Sequence, residues 1–225
     1  VKVEIASATR KSHADFSSQS ALGISLRRLA HDPRLSARIA AENRSGLPVI
    51  YNEILELADQ DSIVVFIHDD VWIDDYFFSQ RLNEALAVFD VVGVAGNRRR
   101  VPFQPAWPFV DQLGTWDQRE NLSGFVAHGQ HPFGPVSPYG ETPVECELLD
   151  GVMLAAKKSV LTSNKVAFDP IFDFHFYDMD FCRTARRNGL RLGTWPICLT
   201  HQSAGAFGTE PWTNKYRAYL DKWGD

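Results

Sequence analysis

The chain has 225 residues, 44% hydrophobic and 23% charged, with a net charge of −5, which is enough apolar material for the core of one large α/β domain. An acidic balance without a basic stripe argues against nucleic acid as the main partner, and no run reaches the ~18 apolar residues needed to cross a bilayer. Three cysteines, Cys146, Cys182 and Cys198, lack metal or redox spacing and fit reduced thiols in a cytoplasmic protein, in solution or peripheral to a membrane. The sequence starts at Val1 without a methionine, as a piece of a longer protein would.

In chain order, residues 1–7 alternate apolar and polar and predict a first strand, with Ser7, Thr9 and Arg10 at its carboxyl end. Ser17 and Ser18 offer caps for a helix carrying Leu22, Ile24, Leu26 and Leu29 and stopping near Asp32-Pro33. A short second strand within residues 35–41 runs into the polar turn Glu42-Asn43-Arg44-Ser45-Gly46. Leu47-Pro48 then starts a helix to about Ala58, whose stripe of Val49, Ile50, Ile54, Leu55 and Ala58 has a 3.6-residue period. Ile63-Val64-Val65-Phe66-Ile67 reads as a strand buried on both faces, the middle of a parallel sheet.

That buried strand ends in His68-Asp69-Asp70. Loops at the carboxyl ends of parallel strands are where open α/β sheets hold ligands. Adjacent carboxylates repel unless a cation, several donors or water neutralises them, so a divalent metal accounts for the pair. Simple capping of the next helix by Asp69 or Asp70, with His68 packed, accounts for it equally well.

A helix over about 74–89 and a strand over 91–96 are expected next. Residues 97–145 lose all periodicity and read as a long irregular loop region, a wall or lid over a site. Arg98-Arg99-Arg100 within it reads as a solvated loop or a grip on phosphate. Trp107 and Trp116 either stack on a sugar ring or anchor the loop to the core, with anchoring the commoner role. Asp150-Gly151 interrupts an apolar segment over 144–156. Asp178 and Asp180 fall at a helix start that Asn188-Gly189 closes, and a last strand over 192–199 terminates near His201.

Taken together, Asn43-Arg44-Ser45-Gly46-Leu47-Pro48 with Tyr51-Asn52, then His68-Asp69-Asp70-Val71, then Asp150-Gly151, then Tyr177-Asp178-Met179-Asp180-Phe181-Cys182-Arg183 followed by Pro196 and His201, resemble the inverting nucleotide-sugar glycosyltransferases of the GT-A fold, family 2 type. The match spans roughly residues 1–207. It implies an α/β, Rossmann-like, mostly parallel sheet flanked by helices on both faces. It also implies a single domain 1–225: a donor-nucleotide half 1–96, the irregular region 97–145, an acceptor and base half 146–207, and a C-terminal segment 208–225.

The resemblance further implies that Asp178 is the general base and that Asp70 and His201 hold a divalent cation, Mn²⁺ or Mg²⁺. His68 stands where the first aspartate of the metal motif normally is, and an imidazole there suits Mn²⁺ better than Mg²⁺. Ser7, Thr9, Arg10, Glu42, Asn43, Asn52 and Asp69 fall on the nucleotide side; Asp150, Gly151 and Asp180 fall on the acceptor side. The implied partners are a UDP-, GDP- or dTDP-sugar donor and a glycan, lipid-linked or protein acceptor, as in polysaccharide biosynthesis. The competing readings are a nucleotidyltransferase or phosphoesterase on a similar scaffold, although Ala6-Ser7-Ala8-Thr9-Arg10-Lys11 lacks the glycines of a nucleotidyltransferase loop, and a degenerate domain that binds nucleotide or glycan without turnover.

Overall fold

The computed structural model describes residues 1–203 and 207–225; positions 204–206, inside the 146–207 half expected above, lie outside the described residues. The chain opens with β1 (Val3–Ala8), α1 (His13–Gln19), α2 (Ala21–Arg28), β2 (Leu35–Ala40), α3 (Leu47–Leu57) and β3 (Ile63–Ile67). Ser12 and Ser20 cap the first two helices, accepting from the N–H groups of Asp15 and Gly23. The expected caps Ser17 and Ser18 instead lie inside α1, where the Ser18 hydroxyl donates to the Ala14 carbonyl. Pro48 starts α3 where its missing N–H costs nothing.

After β3 come β4 (Val71–Ile73), α4 (Phe78–Ala85), β5 (Val91–Gly93) and β6 (Ala95–Asn97). Helix α4 therefore starts four residues later than the apolar spacing predicts, because Val71, Trp72 and Ile73 form a buried strand first. The region 97–145 is less irregular than its sequence: β7 (Leu122–His128), β8 (Val136–Gly140) and β9 (Val144–Cys146) lie within it or at its edge. Pro138 and two glycines, Gly124 and Gly140, sit inside β7 and β8 and mask the alternation that marks a strand. The chain closes with β10 (Leu148–Leu149), β11 (Met153–Lys157), α5 (Lys158–Ser163), α6 (Tyr177–Arg187), β12 (Leu192–Thr194), β13 (Leu199–His201) and α7 (Glu210–Trp223).

These strands make two sheets, ordered β2-β1-β3-β11-β5-β12-β9 and β10-β6-β7-β13-β4, with β8 on β7. The first is mixed rather than mostly parallel: β1 is parallel to β2 and β3, and β5 to β12, while β11 runs antiparallel to β3 and β5, and β9 to β12. The reason lies in the connections. The chain leaves the first sheet at the carboxyl end of β3, passes through strands of both sheets from β4 to β10, and enters β11 from β10 at that same end, where the His68 N–H meets the Val152 carbonyl. Returning there, β11 must run the other way.

The two long apolar runs expected as single strands are each split between the sheets. Residues 91–97 bend at Val94 from β5 into β6, and residues 192–201 pass from β12 into β13. All five residues of β3 are 0–1% exposed, so the expected strand at the centre of the sheet is present. Around it Tyr51, Phe66, Phe168, Tyr177 and Phe181 form a continuous aromatic cluster, with Phe168 stacked on Phe181 at 4.3 Å.

Candidate active site

Two of the crossings between the sheets, β3 to β4 and β10 to β11, deliver polar residues to one place. His68-Asp69-Asp70 is the link from β3 to β4, and the Ser7 hydroxyl holds its near end by donating to the Ile67 carbonyl at 2.7 Å. Antiparallel pairing of β4 with β13 sets His201 opposite Val71, and His201 Nε2 lies 3.2 Å from Asp70 Oδ1. One ligand atom from each of His68, Asp70 and His201 falls within 4.8 Å of the others.

The charges in this cluster are interdependent. Burial works against ionised Asp70, but the His201 hydrogen bond and charge outweigh it and bring the carboxyl down to about 2. Burial likewise works against charged His201, and the Asp70 bond and charge overcome it and raise the imidazole above its ordinary value. His68 is lowered by burial first and by neighbouring His201 second, so it is neutral.

The proton on His68 can be placed. Tyr177 Oη donates its single hydrogen to the Gly151 carbonyl at 2.7 Å. His68 Nε2, 2.8 Å from the same oxygen, must therefore be the donor there, which leaves the Nδ1 lone pair free. A neutral imidazole with one free lone pair, a carboxylate and a second imidazole make a donor set that could hold a divalent cation.

Asp178 comes from the first turn of α6. Its Oδ2 accepts the Gly151 N–H at 3.0 Å. Burial, and then the charge of Asp150, push its carboxyl up to about 7, against the pull of backbone N–H groups. Asp150 in turn accepts from Trp107 Nε1 at 2.9 Å and from the Val152 N–H at 2.9 Å. The helix starts at Phe176 in the left-handed region, φ 66°, a conformation that a bulky residue adopts only when its surroundings impose it. Here Phe176 is wedged among Trp212, Tyr216 and Tyr219 of α7. Gly151 is required by closeness: a Cβ there would lie 2.5 Å from Tyr177 Oη and 2.9 Å from Asp178 Cβ.

Two hollows meet at His68 and Ser203, which line both. One, walled by Trp107, Asp150, Gly151, Tyr177, Asp178 and His201, is the cleft that Asp178 faces. The other, of 830 Å³, is lined by Thr9, Arg10, Asn43, Asp69 and Asp70, and is large enough for a nucleotide. Of the expected site residues, Ser7, Glu42, Asn52 and Asp180 reach neither hollow. Ser7 is fully buried under Ile67. Glu42 is exposed in a left-handed turn. Asn52 spends its amide on both backbone groups of Phe168, and Asp180 turns to α7, bonding Lys222 at 2.7 Å and Trp223 Nε1 at 2.8 Å.

Four residues outside the expected set also belong to this centre: Tyr177, Ser203, Trp107 and Phe174, the last stacked on His68 at 5.7 Å. Tyr177 is legible in the acidic motif, next to Asp178, and Trp107 as a loop anchor or sugar platform; Phe174 and Ser203 carry no signal without the fold.

A family described as "Glycosyltransferase like family" matches residues 35–219, and no curated protein matches the chain by sequence. Among solved structures, GalNAc-T7 with UDP, GalNAc and Mn²⁺ is 10% identical with a TM-score of 0.54, covering 98% of this chain and 48% of its own. The mannosyltransferase PcManGT from Pyrobaculum calidifontis, in complex with GDP-Man and Mn²⁺, is 14% identical with a TM-score of 0.48, covering 100% and 64%. A197 from STIV is 11% identical with a TM-score of 0.47, covering 93% and 98%. This chain thus spans less than two thirds of PcManGT and about half of GalNAc-T7. The fold is that of the GT-A glycosyltransferases, and with its family matched over residues 35–219 the chain belongs to the glycosyltransferase like family.

Proposed function

We propose that this chain is a single metal-dependent glycosyltransferase domain that moves a sugar from a nucleoside-diphosphate donor to an acceptor hydroxyl, with Asp178 as general base and inversion at the anomeric carbon. One observation supports it above the others: the Asp178 carboxyl and the His68, Asp70 and His201 cluster face a common pair of hollows that meet at His68 and Ser203.

The hollow of Thr9, Arg10, Asn43 and Asp69 takes the nucleoside diphosphate, and His68, Asp70 and His201 would hold a divalent cation. When bound, that cation neutralises charge developing on the leaving diphosphate. Asp178, poised near neutrality, takes the proton of the acceptor hydroxyl as its oxygen bonds to the anomeric carbon and the bond from that carbon to the diphosphate oxygen breaks. Attack from the face opposite the departing diphosphate inverts the centre. The protein's work is to orient the acceptor and to keep Asp178 basic by withholding water from it.

The test is a thermal-shift screen of nucleoside diphosphates with and without Mn²⁺. A Mn²⁺-dependent stabilisation by one base is expected, and indifference to both nucleotide and metal refutes the proposal. An acceptor-dependent transfer assay with the donor so identified then separates transfer from mere binding.

A further inference from the structure

The two tryptophans of residues 97–145 have different environments. Trp107 is 7% exposed and bonded to Asp150, an anchor. Trp116 is 53% exposed. Between and beyond them the rings touch in series: Trp107 edge-on to Tyr139 at 5.0 Å, Tyr139 stacked on Trp116 at 5.9 Å, Trp116 edge-on to Phe109 at 5.3 Å, and Phe109 edge-on to Phe207 at 5.4 Å. They line a trough of 590 Å³, and Trp107 and Phe207 also wall the cleft that Asp178 faces. The trough is a side arm of that cleft, with Phe207 itself 50% exposed.

The outer rings Trp116 and Phe207 are half-exposed while Trp107 and Tyr139 are anchored on the core; exposed rings on a fixed base cost solubility without adding packing, so they mark a binding surface. Its make-up selects among ligands. An alkyl chain is matched by aliphatic walls, and here flat rings predominate over the aliphatic Leu122, Pro108 and Pro138. Around them stand His128, Ser137 and Arg119, groups that donate to and accept from hydroxyls. A sugar ring has a flat C–H face bordered by hydroxyls, which is the complement of a flat ring bordered by polar side chains.

We infer that this trough is an acceptor subsite for an oligosaccharide, with Trp116 as the platform for a sugar unit beyond the one that presents its hydroxyl to Asp178. The inference rests on the transferase reading above and narrows its acceptor from glycan, lipid-linked or protein to a glycan of several units. Stacking through Trp116 adds affinity only for chains long enough to reach it.

The experiment is calorimetric titration of the protein, with Mn²⁺ and its nucleoside diphosphate present, against cello-, malto- and chito-oligosaccharides of one to six units. For at least one series, affinity rises about tenfold once the chain reaches Trp116; Trp116→Ala abolishes the rise and Trp116→Phe keeps it. Affinity flat with length in every series overturns the inference, as does a Trp116→Ala variant that matches the wild type, or alkyl glycosides whose affinity follows the alkyl chain. Failure of the wild type to bind any nucleoside diphosphate with Mn²⁺ overturns the transferase reading itself. Nucleotide binding with a flat saccharide series overturns the subsite alone.

Discussion

Asp178→Asn separates what this residue does for chemistry from what it does for stability, and the two effects have opposite signs. The folded protein holds the carboxyl at about 7 against an ordinary 3.8, so between those values the native state binds a proton that the unfolded chain has released. Stability at this site is full below 3.8 and is lost as pH rises through about 7. At about 1.4 kcal/mol per tenfold, the ionised side chain costs at most about 4 kcal/mol at pH 8, less where salt screens Asp150. Asparagine retains an acceptor for the Gly151 N–H and removes the charge. At 2–4 °C per kcal/mol for a chain of this size, Asp178→Asn is expected to raise Tm by roughly 5–10 °C at pH 8, and by much less at pH 5. Loss of the base lowers transfer by about 10²–10⁴-fold. Scanning calorimetry at the two pH values, with acceptor-dependent release of nucleoside diphosphate, measures both. A Tm difference independent of pH, or a transfer rate unchanged by the substitution, refutes the reasoning.

In the wild type, transfer is expected to fall tenfold per pH unit below about 7, where Asp178 takes up its proton; a flat kcat/KM profile between pH 5 and 8 excludes it as base. Gly151→Ala places a methyl 2.5 Å from Tyr177 Oη and 2.9 Å from Asp178 Cβ; the overpacking costs about 1–3 kcal/mol in urea unfolding and lowers kcat with it, and wild-type stability disproves the contact. Tyr177→Phe frees His68 Nε2 from the oxygen that fixes its tautomer, so Mn²⁺ binding weakens about 10- to 100-fold and the ¹⁵N spectrum of the His68 ring changes; an unaltered Kd and ring spectrum refute the assignment. Lys222→Ala leaves Asp180 buried without its cation, a loss of about 3 kcal/mol that thermal unfolding reads directly, and an unchanged Tm means that the Lys222 pair does not contribute to holding α7.

The sequence was most informative where local rules and tertiary demands agree. Residues 63–67 are apolar because both faces of β3 are covered, and Pro48 and Asn188-Gly189 mark helix ends through backbone chemistry that needs no partner. Two kinds of feature were hidden. A strand that changes sheets keeps its apolar pattern, so residues 91–96 and 192–199 read as one strand each, whereas the chain there forms two, β5 with β6 and β12 with β13. Side-chain direction on a helix is equally hidden: Asp178 and Asp180 stand two residues apart in the first turn of α6, and a 100° step per residue sends one to the cleft and the other to Lys222. Asn52 and Ser7 resemble ligand contacts in sequence, yet their polar atoms are consumed in tying Phe168 and Ile67 to their neighbours.

That tying explains why the site lies where it does. Where the chain crosses between sheets the regular ladders end and side chains take up some of the backbone groups: Gly151 gives its N–H to Asp178 and its carbonyl to Tyr177. His68, Asp150 and Gly151 sit at two such crossings, and Tyr177 closes the gap between them by accepting from one and donating to the other. A group held from both sides cannot relax when a charged ligand arrives, so the free nitrogen of His68 and the carboxyl of Asp178 are kept in position by the same tyrosine and the same glycine. Positioning of this kind lowers the reorganisation that a reaction otherwise requires. The mixed sheet is therefore part of the site: had β11 returned at the other end of β3, Gly151 would not lie beside His68, and Asp178 would lose the Gly151 N–H that ties the start of α6 to this crossing.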